Sequence, residues 1–196
     1  MKTRISFVKR SNPFPKDLSA PMARIASYAV SRAQRRIMSG IAPGNSRLTQ
    51  DIKGNGLTLR DSGKYLASIA ASSGSNWAQA GTKERQARML QEGGEIRAKR
   101  AKFLAIPAGA RTRTMMRRYG LTPRTCIESM EADGYQIWMT KLSKVLWARK
   151  GKTGKPFKLF IMRKSVKIPP RPHLYIDQAD EIVILSMIER YIGYKR

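Results

Sequence analysis

The chain is poor in the residues on which most enzyme chemistry rests. Its 196 residues include one cysteine, Cys126, and one histidine, His173. A lone cysteine excludes an intrachain disulfide and is consistent with a reduced, cytosolic place of synthesis. One cysteine and one histidine are too few ligands for a zinc site. They also give no support to a thiol nucleophile activated by a histidine. Acids are scarce, 13 Asp and Glu. Glu92, Glu95 and Asp177 form one conceivable carboxylate metal set, which a nuclease would require; most acids instead sit where they cap helices or balance charge. No apolar run reaches the roughly 20 residues of a membrane span. The basic start, with Lys2, Arg4, Lys9 and Arg10, lacks the apolar core of a signal peptide. Gly151-Lys152-Thr153 ends like a phosphate-binding loop, but the glycine required five residues earlier is Leu146, so it reads as a hairpin turn. No enzyme activity, metal, cofactor or membrane association is expected.

What is abundant is positive charge: 39 Lys and Arg, a formal net charge of +26. Such an excess repels itself and calls for an anionic partner or acidic neighbouring subunits. Nucleic acid is the first candidate on charge alone. The hydrophobic fraction, 41%, is too high for a disordered polycation. One domain is expected over 1–196, with an N-terminal arm (1–16), a helix (17–40), a sheet region (57–176) carrying a basic insertion (97–167), and a C-terminal helix (177–193). The expected class is α+β: N- and C-terminal helices packed on a mainly antiparallel sheet, with a long basic hairpin or loop insertion.

Periodicity places the elements. Ile5–Val8 reads as a short strand or arm. Leu18, Met22, Ile25, Ala29, Ala33 and Ile37 recur at helical spacing, with Pro21 in the first turn and Gly40 as a stop. Arg24, Arg32, Arg35 and Arg36 then form a polar face, solvated or turned to nucleic acid. Residues 41–56 read as a loop, Leu57–Ile69 as an extended entry, a polar turn and a short helix, Ser72–Asn76 as a turn, and Trp77–Gly81 as a strand. From Arg97 to Arg171 there are 20 Lys and Arg against Glu128, Glu131 and Asp133. Extended segments are predicted at Phe103–Ile106, Ile127–Glu131, Tyr135–Thr140, Lys144–Arg149 and Phe157–Met162, joined as an antiparallel meander. Asp177 caps the last helix, on which Ile182, Leu185, Ile188 and Ile192 make an apolar stripe widened by Ile184, Met187 and Tyr191.

Two stretches carry the functional expectations. Ile168-Pro169-Pro170-Arg171-Pro172-His173-Leu174 is a stiff extended connector that sets where the last helix docks. Together with Ile182, Leu185 and Tyr191, Ile168, Pro169, Pro170, Arg171 and Pro172 are the candidate assembly interface. Lys141, Lys144, Arg149, Lys150, Lys152, Lys155 and Lys158 decorate a hairpin with Trp138, Trp147 and Phe157, and are candidate contacts for a neighbouring subunit or DNA. The aromatics either face a core or stack on bases between phosphate-binding cations.

Three stretches in order resemble the tailed-phage virion-morphogenesis family, in its Mu-type tail-completion or neck proteins. They are Leu57–Ile69 with Ser62-Gly63, Ala80-Gly81-Thr82 through Gln91-Glu92-Gly93-Gly94, and Ile168–Leu174. The middle element has Gln86-Ala87 where the family usually has Tyr-Ala. The resemblance implies a non-enzymatic virion subunit in the neck or upper tail, made in the host cytoplasm. It would complete the tail or neck and join head to tail as a ring, six-fold or twelve-fold, around the DNA channel. Its implied partners are further copies of itself, connector or head-closure proteins, tail terminator, tube or sheath proteins, and the packaged DNA. The other reading is a free nucleic-acid-binding protein that uses the basic aromatic hairpin. Removing Lys150–Lys155 is expected to block head–tail joining.

Overall fold

The structure, a computed structural model, describes residues 2–6, 17–54, 57–99 and 101–193. Along the chain run β1 (Lys2–Ser6), α1 (Ser19–Ser39), α2 (Arg47–Lys53), α3 (Lys64–Ala67), β2 (Ala70–Ser73), β3 (Trp77–Gly81), α4 (Ala87–Glu92) and β4 (Gly94–Arg97). There follow β5 (Leu104–Pro107), α5 (Ala110–Tyr119), α6 (Pro123–Ala132), β6 (Tyr135–Thr140), β7 (Val145–Lys150), β8 (Phe157–Arg163), β9 (Ser165–Ile168) and α7 (Gln178–Tyr191). Every strand pairing is antiparallel, and the class is α+β as expected. The chain divides into two compact units: one of residues 1–43, 58–93 and 169–196, the other of 44–57 and 94–168.

In the first unit the sheet order is β1-β3-β2. The central strand turns Ala78 and Ala80 inward, and these small side chains let α1 lie close on the sheet. The helix starts at Ser19, where Asp17 accepts the Ser19 N–H at 2.9 Å, and stops at Gly40, whose φ is 91°. Its predicted stripe is the observed one: Met22, Ile25, Ala29, Ala33 and Ile37 are buried, together with Ala26. One cluster joins Met22, Ile25, Ala26 and Ala78 to Ile184 and Ile188 of α7; a second joins Ala33 and Ile37 to Tyr65, Ile69, Ala87 and Leu174. The first strand is observed at Lys2–Ser6; Phe7 and Val8, expected in it, lie outside the described residues.

In the second unit the four-stranded sheet has the order β5-β8-β7-β6, and β4 pairs with β9 as a separate ribbon. The helices α5 and α6 cover one sheet face through Met115, Met116, Cys126 and Met130, which meet Leu146, Ala148, Phe157 and Phe160. Between Leu146 and Trp147 the β7–β8 register shifts at a bulge. There Leu159 and Phe160 are both fully buried, so one extra apolar residue enters the core.

Three predicted elements differ from the observed ones. Ile127–Glu131 is helical, within α6, because Thr122 caps that helix with a reciprocal Thr125 bond and Pro123 opens it. Residues 41–56 contain α2, capped by Ser46 and closed by Gly54 at φ 76°. Within Leu57–Ile69 the expected extended entry is replaced by a turn at Thr58 and Leu59, with Leu59 at φ 56°.

The β7–β8 turn at Gly151–Gly154 confirms the hairpin reading of the lysine loop. It needs glycine at 154, where a Cβ would stand 2.2 Å from the Lys150 carbonyl oxygen. Gly154→Ala is expected to destabilise the second unit by about 1–3 kcal/mol, the usual cost of forced overpacking. Urea denaturation followed by tryptophan fluorescence measures this, since Trp138 and Trp147 lie on this sheet.

Candidate functional site: a buried motif junction, a helix face and a basic sheet face

In the first unit the connector Pro169–Ile176 is held by side chains from α1, α3, α4 and β1. Gln91, at the end of α4, accepts the backbone N–H groups of His173 and Leu174 at 3.0 Å each and donates to the Leu174 carbonyl at 3.2 Å. Thr3 Oγ1 of β1 donates to the same carbonyl at 3.0 Å. The fully buried His173 has Nδ1 at 2.7 Å from the Arg171 carbonyl and Nε2 at 2.7 Å from Tyr65 Oη. A carbonyl only accepts, so Nδ1 carries the proton, and Nε2 accepts from the Tyr65 hydroxyl. Arg171 donates through its backbone N–H to the Leu90 carbonyl and through Nε to Pro43 O. Nearby, Ser68 and Thr82 hydroxyls meet at 2.7 Å.

The electrostatics of this junction oppose acid–base chemistry at neutral pH. Burial pushes the Tyr65 hydroxyl up to about 12, helped by Glu84. Burial also depresses His173, with the Arg171 carbonyl opposing it only in part. Both ring nitrogens are engaged, so the histidine stays neutral and locks the connector. The connector itself is divided: Arg171, His173 and Leu174 are buried, Ile168 and Pro169 half-buried, and Pro170 and Pro172 exposed. Of the predicted interface residues here, Arg171 therefore faces inward.

The last helix is rotated differently from its predicted stripe. Ile184 and Ile188 are buried, whereas Ile182 and Leu185 are 65% and 52% exposed. The cause is Asp180. Its fully buried carboxylate accepts from Tyr28 Oη at 2.8 Å and from the guanidiniums of Arg32 and Arg36 on α1. That places positions 180, 184 and 188 against α1. Burial alone would raise the Asp180 pKa; the bonds from Tyr28, Arg36, the Asp177 backbone and Arg32 outweigh it and hold it at about 2. Asp177 caps the helix as predicted and pairs with Arg36 at 2.7 Å. Arg36 also lies over the Tyr175 ring at 3.8 Å. Arg32 and Arg36, predicted as part of the polar face, are thus the docking contacts of α7. Tyr191, 47% exposed, follows Ile188 on the inward stripe, so it does not join Ile182 and Leu185.

In the second unit, strand alternation separates two faces. Tyr135, Ile137, Leu146, Ala148, Phe157 and Met162 pack toward the helices. The opposite face carries Trp138 across from Trp147, and Gln136 across from Arg149. Lys158 stands across from Trp147, and Val145 across from Ile161. Of the three hairpin aromatics, Phe157 is thus a core residue, while both tryptophans lie on the outer face. The cations do not form one patch. Lys141 and Lys144 occupy the β6–β7 turn; Lys152 and Lys155 occupy the β7–β8 turn at the other end of the strands, about 20 Å away at the strand rise. Arg149 and Lys158 lie between them. Lys150 sits on the helix side, over the Tyr135 ring and paired with Asp133 at 3.2 Å.

The conceivable metal carboxylates are spoken for: Glu92 pairs with Arg88, Glu95 with Arg97, and Asp177 with Arg36. Among the described residues no group of three or more His, Cys, Asp or Glu could hold a metal ion, and no helix is long and apolar enough to cross a membrane. Cys126 is buried, and burial pushes its thiol up, away from the reactive thiolate.

The model of the phage virion morphogenesis family matches residues 3–133. The chain belongs to that family. Membership makes it a protein of virion assembly, structural in role and working among other virion proteins. Of the junction residues, Tyr65, Ser68, Thr82 and Gln91 lie inside the matched segment; the connector, α7 and the sheet strands from Tyr135 onward lie beyond it. No curated protein and no solved structure matches the chain. In this family member the three resembling stretches are one physical object: Tyr65 comes from the first, Thr82 and Gln91 from the second, and His173 from the third. Sequence reasoning marked the stretches but passed over Gln91, Tyr65 and Asp180, whose importance lies in bonds across long sequence separations.

Proposed function

We propose that this protein is a structural subunit that completes the tail or neck of the virion and joins head to tail as a ring around the DNA channel. Family membership supports the virion role. The ring reading rests on one observation above the others: α7 is locked to α1 on one face and presents Ile182 and Leu185 on the other. A helix held rigidly by four charge-assisted bonds offers an apolar contact whose geometry is fixed in advance. Contact of that pair with a different surface of the next copy is head-to-tail, and head-to-tail contacts close into rings where the fixed rotation divides a full turn. Pro170 and Pro172, exposed in the connector that leads into this helix, belong to the same candidate interface. The turn lysines 141, 144, 152 and 155 then meet polyanionic neighbours, whether the acidic surface of an adjoining ring or DNA.

Ile182→Glu with Leu185→Glu tests this. Both residues are exposed, so the variant subunit is expected to fold and to melt within about 0.5 kcal/mol of the parent, as exposed sites do. It is expected to stay monomeric by native mass spectrometry. A phage carrying it is expected to yield filled heads and finished tails that remain separate under the electron microscope. Infectious particles at the parental yield would overturn the reading. For the lysine turn, removal of 150–155 would also take away Gly154 and the Lys150–Asp133 pair, so Lys152→Gln with Lys155→Gln is the cleaner probe of charge.

A further inference from the structure

We infer that the outer face of the four-stranded sheet is a binding surface for single-stranded nucleic acid, with Trp138 as a stacking platform and Arg149, Lys158 and Arg163 as phosphate contacts. The inference does not depend on where in the virion the chain sits.

Charge comes first. The second unit holds 21 Lys and Arg against 5 Asp and Glu, a formal charge of +16. From Tyr135 to Ile168 there is no carboxylate at all. Lys158 and Arg163 are exposed and make no ion pair among the described residues. Arg149 donates from Nε to the neutral Gln136 side chain at 2.8 Å. These cations share a face and lack a counter-charge on it, which is the electrostatic footprint of a polyanion site.

The aromatics decide which polyanion. Trp138, 37% exposed, stands directly across the strands from Trp147. Each ring has its own cation: Arg149 lies 5.6 Å from the Trp138 centroid and Lys158 5.8 Å from that of Trp147. A base laid on Trp138 therefore finds a positive group beside it for its phosphate. Half-buried Val145 and Ile161 continue the same face toward Arg163 and the lysines of the β6–β7 turn. An acidic protein surface would use the cations and leave an exposed indole without a purpose. Duplex DNA keeps its bases stacked on one another and offers only phosphates. A single strand presents bases and phosphates together, and stacking on aromatics between basic side chains is how such strands are held without sequence preference.

The test uses the full chain at physiological salt and three fluorescent probes: an oligothymidylate of about 20 nucleotides, longer than a typical single-strand site, the duplex of the same length, and polyglutamate. The oligothymidylate is expected to bind most tightly and to quench tryptophan emission. Trp138→Ala is expected to weaken it about tenfold, the worth of one stacked base. Trp138→Phe should restore most of that loss, and neither change should alter duplex binding. Lys158→Gln with Arg163→Gln should reduce the slope of log affinity against log salt by about 1.4, two phosphate contacts on a single strand. Duplex or polyglutamate bound as tightly as the single strand, or a Trp138→Ala variant bound as well as the parent, would overturn the inference. A salt slope unchanged in the double variant would remove the assigned phosphate contacts.

Discussion

Replacing Asp180 with alanine is expected to cost the first unit about 3 kcal/mol. The carboxylate is fully buried and accepts from Tyr28, Arg32 and Arg36 while closing the capping box with Asp177. Taking away one partner of a buried pair leaves the other charge desolvated and unpaired, at about 3–5 kcal/mol. The lower end applies here because Arg32 keeps 29% of its side chain exposed and regains water. Thermal denaturation measures the loss, and Asp180→Asn should fall between, since it keeps the shape and loses the charge. The pH dependence has a definite sign. Folding depresses the Asp180 pKa from 3.8 to about 2, so its stabilisation is present above pH 3.8 and lost as the pH falls through 2. The alanine variant should therefore lose less stability than the parent in strong acid. A melting temperature unchanged by Asp180→Ala would mean that α7 is held by Ile184 and Ile188 alone.

Gln91→Leu is expected to cost about 2–6 kcal/mol. Leucine fills the same space but leaves the buried His173 and Leu174 N–H groups without acceptors, at about 1–3 kcal/mol each. The Leu174 carbonyl keeps its bond from Thr3, so that side of the loss is smaller. Denaturant titration measures it. The same unit carries a pH signature at the other end of the acid range. Burial lowers the His173 pKa in the folded state, so the unfolded chain takes up the proton first. Stability is full above pH 6.5 and declines as the pH drops below it, levelling only below the folded pKa. His173 is the chain's one histidine, so a decline of unit 1 stability that is already under way between pH 6.5 and about 5, above the carboxylate range, is assigned to it.

The sequence was legible where one period dominates. On α1 the steps between Met22, Ile25, Ala29, Ala33 and Ile37 admit a single buried face, and that face is observed. Strands β6 and β7 were legible for a similar reason, alternation within a segment bounded by Gly134 and Gly151. The α7 face was not, because apolar residues surround most of that helix and spacing alone cannot choose a side; a buried acid made the choice. In α6 a β-branched Ile127 within a short window looked extended, and the Thr122–Thr125 capping box overrode it. The junction was visible only as three separate motifs. The Tyr65–His173 and Gln91–Leu174 bonds span 108 and 83 residues, and no local pattern announces a partner at that distance. The outer position of both tryptophans follows from the β6–β7 register, which sets Trp138 across from Trp147 and Ile137 across from the buried Ala148.

The first unit is assembled from three pieces of chain, with the whole of residues 94–168 spoken between the second and the third. This imposes an order on the completion of the two residue sets during synthesis. When Ile168 has been added, every residue of the second unit exists, and its own core of Met130, Leu159 and Phe160 is complete. The first unit then still lacks Leu174, Ile184 and Ile188, so Met22, Ile25 and Tyr65 have only part of their cover. Twenty more residues must be made before Ile188 arrives, about 1–4 s at ordinary elongation rates of about 5–20 residues per second. For that interval the chain holds every residue of one unit and only part of the apolar set of the other. The short, exposed, alanine- and serine-rich β2 at the sheet edge is well suited to that wait, since it offers a stray strand little apolar surface to grip.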